Sequence, residues 1–305
     1  MLAPDVLKQR IAEGIMAFPA TPFHADGSLD QSGLESHVAF LARHRPTALA
    51  AAGGAGEIFS LSFAEHEQVV RTTVLHAAGV PVIGGAAYGT SMACEMARTV
   101  ERTGADAVLL LPPYLVRCEQ EGLFRHIRAV CSSVSIAVIP YSRDNAVVAP
   151  DTLLRLADAC PNMVALKDGT GDLAGVAGLK QRVGDRVTIV NGAPTAEVFA
   201  PKFQAIDIGS YSSAVFTFLP LLARHFFNAL RGGDHAVVNA MLADFYGPIV
   251  ELRDRKRGYS VSIVKAGLRV AGMPAGPVRS PLVDFDAEEE SLLARLIARA
   301  SQWNR

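Results

Sequence analysis

Short, fully apolar runs recur along the chain, and each is followed by a stretch with helical spacing. The runs at residues 108–111 and 136–139 are apolar at every position instead of alternating with polar residues. Such runs are typical of strands that are buried on both faces of a parallel sheet. The pattern predicts eight strands, which begin near Gly14, Ala48, Pro81, Ala107, Ile136, Met163, Val187 and Ala205.

The stretches between these runs predict helices. Leu34, Val38 and Leu41 recur at helical spacing, and Pro150 followed by Asp151 is typical of a helix start. Eight strand–helix repeats predict an α/β fold, the (β/α)8 TIM barrel. A doubly wound sheet is the alternative, but no GxGxxG motif follows the first strand.

Both ends of the chain are predicted to be helical. The first 17 residues mix charged and apolar side chains, which indicates an amphipathic helix before the first strand and not a signal peptide. After about residue 220 the strand pattern fades, and helices are predicted at residues 219–230, 235–250 and 288–303. We expect a single domain over residues 1–305, with the barrel at 1–219 and a C-terminal helical extension at 220–305.

Composition excludes several classes of protein. The 305 residues carry a formal net charge of -1, whereas nucleic-acid binding requires a basic face, so no nucleic-acid partner is expected. No run of about 18 apolar residues exists, so no membrane span is predicted. The sequence contains no HExxH motif, no CxxC motif and no cluster of histidines, so no metal site is predicted. Widely spaced cysteines indicate buried free thiols in a reducing cytoplasm: Cys94, Cys118, Cys131 and Cys160.

Lys167 is the first candidate for chemistry, because active sites of this fold form at the C-terminal ends of the strands. It ends the apolar run 163–166 and precedes the glycine-rich segment 168–172. Burial would lower the pKa of its ammonium group, and a neutral amine can attack a ketone to form a Schiff base. The structural alternative is a lysine that reaches solvent or pairs with Asp168.

Tyr141 and Arg143 follow the fifth apolar run. A tyrosine there can carry a proton if a neighbouring cation lowers its pKa, or it can be a core tyrosine whose hydroxyl bonds to the backbone. The planar guanidinium of Arg143 suits a substrate carboxylate, or it can pair with Asp144.

Further substrate-binding groups are predicted at other strand ends. Gly54 and Ala55 lie in a glycine-rich loop, which either offers free backbone amides to a carboxylate or is simply a tight turn. The serines of the last strand either bind substrate or cap the next helix. The mixed-charge stretch 253–257 is interpreted as a solvated turn. The remaining candidates are Asn191, Gly192, Ser210, Tyr211 and Ser212.

Together these residues resemble the Schiff-base-forming aldolases and dehydratases that include dihydrodipicolinate synthase and N-acetylneuraminate lyase. The resemblance extends from about Gly14 to Leu282. Its motifs are Thr21-Pro22-Phe23, Gly53-x-x-Gly56-Glu57, Pro113-Tyr114, Tyr141 and Lys167-Asp168.

Within that family the chain is most similar to the dehydratases of keto-deoxy sugar diacids, through the segments at 111–115, 141–146, 211–214, 258–267 and 275–279. Dihydrodipicolinate synthases usually have a second tyrosine at the position of Leu115 and two threonines at Gly54-Ala55. The dehydratases usually have threonine at Ala55 and asparagine at Ser142. Ala55 lacks a hydroxyl that could hold a carboxylate but keeps its backbone amide.

The resemblance implies that Lys167 forms the Schiff base, that Tyr141 carries protons, and that the substrate is a small keto-deoxy sugar diacid. It also implies a reaction without a metal or organic cofactor, and a homo-oligomer, either a tetramer or a dimer. In this chemistry one iminium serves both loss of water and loss of carbon dioxide. Two alternatives stay open: a pyruvate-type aldolase of the same family, and a non-catalytic barrel that binds a keto acid.

Overall fold

A computed structural model, which describes residues 1–303, contains a closed barrel of eight parallel strands in chain order. The first strand pairs with both the second and the last, which closes the ring. The predicted TIM barrel is therefore confirmed. The strands are β1 Gly14–Ala17, β2 Ala48–Ala51, β3 Val82–Ala86, β4 Ala107–Leu110, β5 Ala137–Ser142, β6 Ala165–Asp168, β7 Thr188–Asn191 and β8 Ser210–Ser213.

The predicted start of the eighth strand, near Ala205, is wrong. The first seven strands begin within two residues of their predicted starts, but β8 begins at Ser210. Asp207 has a φ of 57°, a left-handed conformation that does not belong in a strand. The apolar residues Ala205 and Ile206 therefore lie in the turn before β8.

Thirteen α-helices alternate with the strands and continue after β8 within residues 1–303. None of them, over that range, is both long and apolar enough to cross a membrane. The helices are α1 Pro4–Ala12, α2 Gln31–Arg43, α3 Phe63–His76, α4 Thr90–Arg102, α5 Gln120–Cys131, α6 Pro150–Ala159, α7 Leu173–Val183, α8 Ala200–Gln204, α9 Pro220–Arg231, α10 His235–Met241, α11 Gly247–Arg253, α12 Tyr259–Val270 and α13 Ala287–Ala300.

The predicted N-terminal helix, α1, closes one end of the barrel. Its Leu7 and Ile11 are fully buried and pack with interior residues such as Met16 and Ala50. The Lys8 side chain donates to the backbone carbonyl of Asp185, just before β7. Because the N-terminal ends of the strands are covered in this way, substrate access is left to the opposite end.

The boundary predicted at residue 219 falls before the last helix of the barrel. α9 follows β8 and packs against it, with the Phe227 and Tyr211 rings 5.9 Å apart. We therefore place α9 in the ring of barrel helices and begin the extension at α10. Asn304 and Arg305, the last residues of the predicted extension, lie outside the described residues.

The predicted helix at 235–250 is found as α10 and α11, which are joined by a π-helical turn at Leu242–Tyr246. Pro248 lies in the first turn of α11 and has no N–H to continue the regular hydrogen-bond pattern. No helix was predicted at the position of α12. Its residues 261–268 are all buried, so the polar residues among them, Ser262 and Lys265, do not form a solvent-facing side.

Candidate active site

A cavity of about 300 Å³ lies at the C-terminal end of the barrel. Residues from the ends of β5, β6 and β8, and from the loops after β2 and β7, line it. The cavity brings together seven of the predicted site residues, which are Gly54, Ala55, Tyr141, Arg143, Lys167, Gly192 and Ser212.

Asn191 lies outside the cavity lining, although it ends β7. Its side-chain amide donates to the carbonyl of Ala196 at 3.0 Å and accepts from the N–H of Ala193 at 3.1 Å. Both hydrogen bonds are made within its own loop. The residue therefore shapes the loop instead of facing a substrate.

Ser210 and Tyr211 also lie outside the cavity lining. Ser210 is the first residue of β8 and pairs with Gly14, the first residue of β1, at the end of the barrel opposite the cavity. Tyr211 is fully buried between the barrel wall and α9. Successive side chains of a strand point to opposite faces, so Ser212 faces inward and Tyr211 faces the helices.

Lys167 lies on β6, is 5 % exposed, and directs its amine into the cavity. Its Nζ is 3.7 Å from the ring centroid of Tyr141 and 4.9 Å from that of Phe18. Within residues 1–303, no carboxylate lies within salt-bridge distance of this nitrogen. Asp168 instead accepts from the hydroxyl of Thr170 at 2.9 Å, so the predicted alternative of a Lys167–Asp168 pair is not found.

Burial lowers the pKa of Lys167, because the ammonium form loses its hydration. The proximity of Tyr141 opposes this shift, and the positive charge of Arg143 adds to it. The net result is an amine that is neutral at a lower pH than an ordinary lysine. A neutral amine is the nucleophile that Schiff-base formation requires.

Two glycines make room for the reactive pair. A Cβ at Gly192 would lie 2.5 Å from Cγ of Lys167, and one at Gly169 would lie 2.6 Å from Cε2 of Tyr141. Lys167 and Tyr141 are direct partners in the register of β5 and β6. The glycines after β6 and β7 therefore allow the lysine stem and the phenol ring to lie side by side.

The Tyr141 hydroxyl donates to the carbonyl of Gly192 at 2.8 Å and accepts from Nη1 of Arg143 at 3.3 Å. Burial alone would raise the pKa of this phenol, but the charges of Lys167 and Arg143 outweigh burial and lower it. A phenol with a lowered pKa, beside the amine, is suited to moving protons during imine formation.

Arg143 makes the pair with Asp144 that was one of its two predicted roles, and it also contacts Tyr141. Its Nε bonds to a carboxylate oxygen of Asp144 at 2.9 Å, while its Nη1 reaches Tyr141. The side chain is 37 % exposed, which places it between the cavity and solvent. It lowers the pKa of both reactive residues from the rim of the site.

The glycine loop offers unused backbone donors. Among the described residues, the amides of Gly54 and Ala55 donate no hydrogen bond. The loop is fixed from its other side, because Thr21 Oγ1 donates to the carbonyl of Gly56 at 2.7 Å. Two free amides in a fixed loop can bind the carboxylate next to a ketone.

Arg253 was not among the predicted site residues. It was assigned to a solvated turn, but its side chain is only 12 % exposed and lines the cavity. Its Nη1 donates to Thr195 Oγ1 at 2.7 Å. Ile249, one helical turn earlier, also lines the cavity, so the spacing of these two residues on α11 was the available signal.

The charges of the cavity are strongly unbalanced. Three basic side chains line it, Lys167, Arg143 and Arg253, and no described Asp or Glu does. The two arginines stay cationic when Lys167 is the neutral amine. The rest of the lining is mainly apolar, so these charges act in a poorly hydrated space. Such a site favours an anion that carries more than one negative charge.

Comparisons with known proteins agree with this geometry. The family model described as "Dihydrodipicolinate synthetase family" matches residues 11–300. A protein of Rhizobium rhizogenes (strain K84 / ATCC BAA-868), named "Probable 5-dehydro-4-deoxyglucarate dehydratase", is 48% identical over 97% of this chain and 98% of its own. A protein of Saccharopolyspora erythraea with the same name is 49% identical over 96% of both chains. The crystal structure of dihydrodipicolinate synthase from Bacillus clausii matches with a TM-score of 0.88 and 26% identity, over 97% of this chain and 99% of that one.

Proposed function

The chain belongs to the dihydrodipicolinate synthetase family, and we propose that it is a decarboxylating dehydratase. Its substrate is 5-dehydro-4-deoxy-D-glucarate, and its products are 2,5-dioxopentanoate, water and carbon dioxide. The observation that carries the proposal is a buried lysine, with no carboxylate partner among the described residues, in a cavity that two arginines also line. A keto-diacid supplies both the carbonyl for the lysine and the negative charges for the cations. The relatives named as dehydratases support this choice of substrate.

The first half of the reaction forms the imine. The neutral amine of Lys167 attacks the C5 ketone, and the carbinolamine loses water as Tyr141 delivers a proton. The C6 carboxylate, next to the ketone, binds to the amides of Gly54 and Ala55. The resulting iminium withdraws electrons from C5, so the protons on the C4 methylene become acidic.

The second half uses the same iminium twice. Loss of a C4 proton gives an enamine, and the C3–O bond then breaks to release water and leave a conjugated iminium. The C1–C2 bond breaks next, its electrons move through the conjugated system to nitrogen, and C1 leaves as carbon dioxide. Protonation of C4, tautomerisation of the C2 enol to the aldehyde and hydrolysis of the imine release 2,5-dioxopentanoate and regenerate Lys167.

Borohydride trapping tests the proposal directly. The enzyme is mixed with 5-dehydro-4-deoxyglucarate and sodium borohydride, the adduct is located by peptide mass mapping, and released carbon dioxide is measured in parallel. We expect a reduced adduct on Lys167, and carbon dioxide in a one-to-one ratio with product. An adduct without carbon dioxide would support an aldolase instead. The absence of any adduct would support a non-catalytic barrel that binds keto acids.

We also propose that the protein is a cytoplasmic homo-oligomer, either a tetramer or a dimer. The four cysteines, all within the described residues, are free thiols, which supports a reducing compartment. The oligomer is an expectation from the family resemblance. Light scattering at several concentrations tests it, and a mass that stays at the 32.4 kDa of one chain would contradict it.

A further inference from the structure

We propose that Arg253 binds the distal (C1) carboxylate and thereby selects a diacid over a monoacid. This inference rests on the proposed function, because it assigns the second charge of that substrate. Lys167 is committed to the ketone, and Gly54 and Ala55 to the adjacent carboxylate. Arg143 is the more exposed of the two arginines and is already bonded to Tyr141 and Asp144. Arg253 is less exposed, and its hydrogen-bond partners among the described residues, Asp254 and Thr195, do not belong to the reactive pair.

The hydrogen bonds of Arg253 fix its guanidinium and leave donors unused. Asp254, which is largely exposed, accepts from Nε at 2.7 Å and from Nη2 at 3.0 Å. Thr195 accepts from Nη1 at 2.7 Å. A guanidinium has five N–H groups, so two remain for a ligand. A fixed fork with two free donors matches the geometry of a carboxylate.

The position of Thr195 supports a built site. Thr195 has a φ of 51°, which is unusual for a β-branched residue and costs roughly 1–3 kcal/mol. The side chain of Asn191 stabilises this loop through its hydrogen bonds to Ala193 and Ala196. The strained conformation directs the threonine hydroxyl to Arg253 at the cavity lining.

The order of strands separates the two anion-binding groups. The loop with Gly54 and Ala55 follows β2, and Thr195 follows β7, with β1 and β8 between them in the ring. Lys167, on β6, is next to β7. A six-carbon chain bound to Lys167 at C5 can place its C6 carboxylate toward β2 and its C1 carboxylate toward Thr195 and Arg253.

This role predicts a specific kinetic signature. The bond to the C1 carboxylate forms on substrate binding and weakens as neutral carbon dioxide departs. Removal of the Arg253 guanidinium should therefore raise KM more than it lowers kcat. A purely structural role would lower the affinity for every keto acid that reaches Lys167.

Two keto acids of equal length separate these possibilities. 2-Oxoadipate carries a distal carboxylate, whereas 2-oxohexanoate ends in a methyl group, and borohydride trapping gives the half-saturating concentration of each. In Arg253→Met, we expect that concentration to rise about 10- to 100-fold for 2-oxoadipate, the range for one charge-assisted interaction. We expect a change of less than about threefold for 2-oxohexanoate. Arg255→Met, an exposed arginine two residues away, should change neither value.

Equal loss for both keto acids, or unchanged preference for the diacid, would overturn the assignment. If Arg253→Met does not fold, Arg253→Lys takes its place. It keeps the charge but not the planar fork, so it should weaken the binding of 2-oxoadipate alone. Neither keto acid can undergo the proposed dehydration, so this result is independent of whether 5-dehydro-4-deoxyglucarate is turned over.

Discussion

Two buried lysines in this barrel have similar surroundings and different chemistry. Lys167 and Lys265 are 5 % and 0 % exposed, and each Nζ lies over an aromatic ring, at 3.7 Å from Tyr141 and 4.1 Å from Phe23. Burial lowers the pKa of both. Lys265, however, lies 2.6 Å from a carboxylate oxygen of Glu57, which opposes its shift. Among the described residues, the lack of a nearby carboxylate, and not burial, distinguishes the reactive lysine.

The Lys265–Glu57 pair instead supports the site from behind. Lys265 also donates to the carbonyl of Pro277 at 2.7 Å, and the other oxygen of Glu57 accepts from the N–H of Arg279 at 3.0 Å. Glu57 directly follows the glycine loop, at a φ of 55°. The pair therefore joins that loop to α12 and to the segment at 277–279, two of the regions on which the family resemblance depends.

The largest expected effect is that of Lys167→Ala. This change removes the only amine that lines the cavity within residues 1–303, so turnover and borohydride trapping should both be abolished. Steady-state kinetics and peptide mapping measure the two losses. Far-UV circular dichroism serves as the control for folding. Retained activity, or an adduct that moves to Lys265, would break the distinction between the two lysines.

The second prediction concerns stability. Lys265→Met leaves Glu57 buried without its partner, which should lower the free energy of unfolding by about 3–5 kcal/mol. Arg71→Met is a matched control, because the Arg71–Glu67 pair has the same 2.6 Å separation but both side chains are about half exposed. It should cost less than about 1 kcal/mol. Urea unfolding measures both.

A double variant sharpens this test. Glu57→Gln with Lys265→Met removes the unpaired charge, so it should be more stable than Lys265→Met alone. Glutamine keeps an oxygen that can accept from the N–H of Arg279. A double variant no more stable than the single one would show that the buried charge is not the cause of the loss.

The third prediction is that Tyr141→Phe lowers kcat by roughly a hundredfold or more, as expected when a positioned acid–base group is removed. Phenylalanine keeps the ring beside the Lys167 amine, so the change isolates the hydroxyl. Tyr211→Phe is the matched control, because Tyr211 is buried outside the cavity lining, and its kcat should change by less than about threefold. Comparable losses in the two variants would remove Tyr141 from the mechanism.

The sequence could predict the features that depend on local pattern, and not those that depend on tertiary packing. Fully apolar strands and a lysine at a strand end are local features, so the barrel, Lys167 and Tyr141 could be predicted from the sequence. A strand start placed at Ala205 put Ser210 at the wrong end of β8, and the direction in which Tyr211 points, toward α9, depends on the register of that strand. Arg253 needed tertiary information, because only the packing of α11 over the barrel brings it to the cavity.

The smallest expected effect tests how the rim tunes the reactive lysine. The charge of Arg143 lowers the pKa of Lys167, so Arg143→Gln should raise it. Only the neutral amine reacts, and this form predominates above the pKa of Lys167. The acidic limb of the pH profile of the trapping rate should therefore move to higher pH. The movement should be small, since Arg143 is partly exposed and its charge is screened by solvent. The initial rate of borohydride trapping with 2-oxohexanoate, measured across pH, gives the position of that limb.

Arg143→Lys keeps the charge and should leave the limb near its wild-type position. A limb that stays in place or moves to lower pH in Arg143→Gln would mean that the charge of Arg143 does not lower the pKa of Lys167.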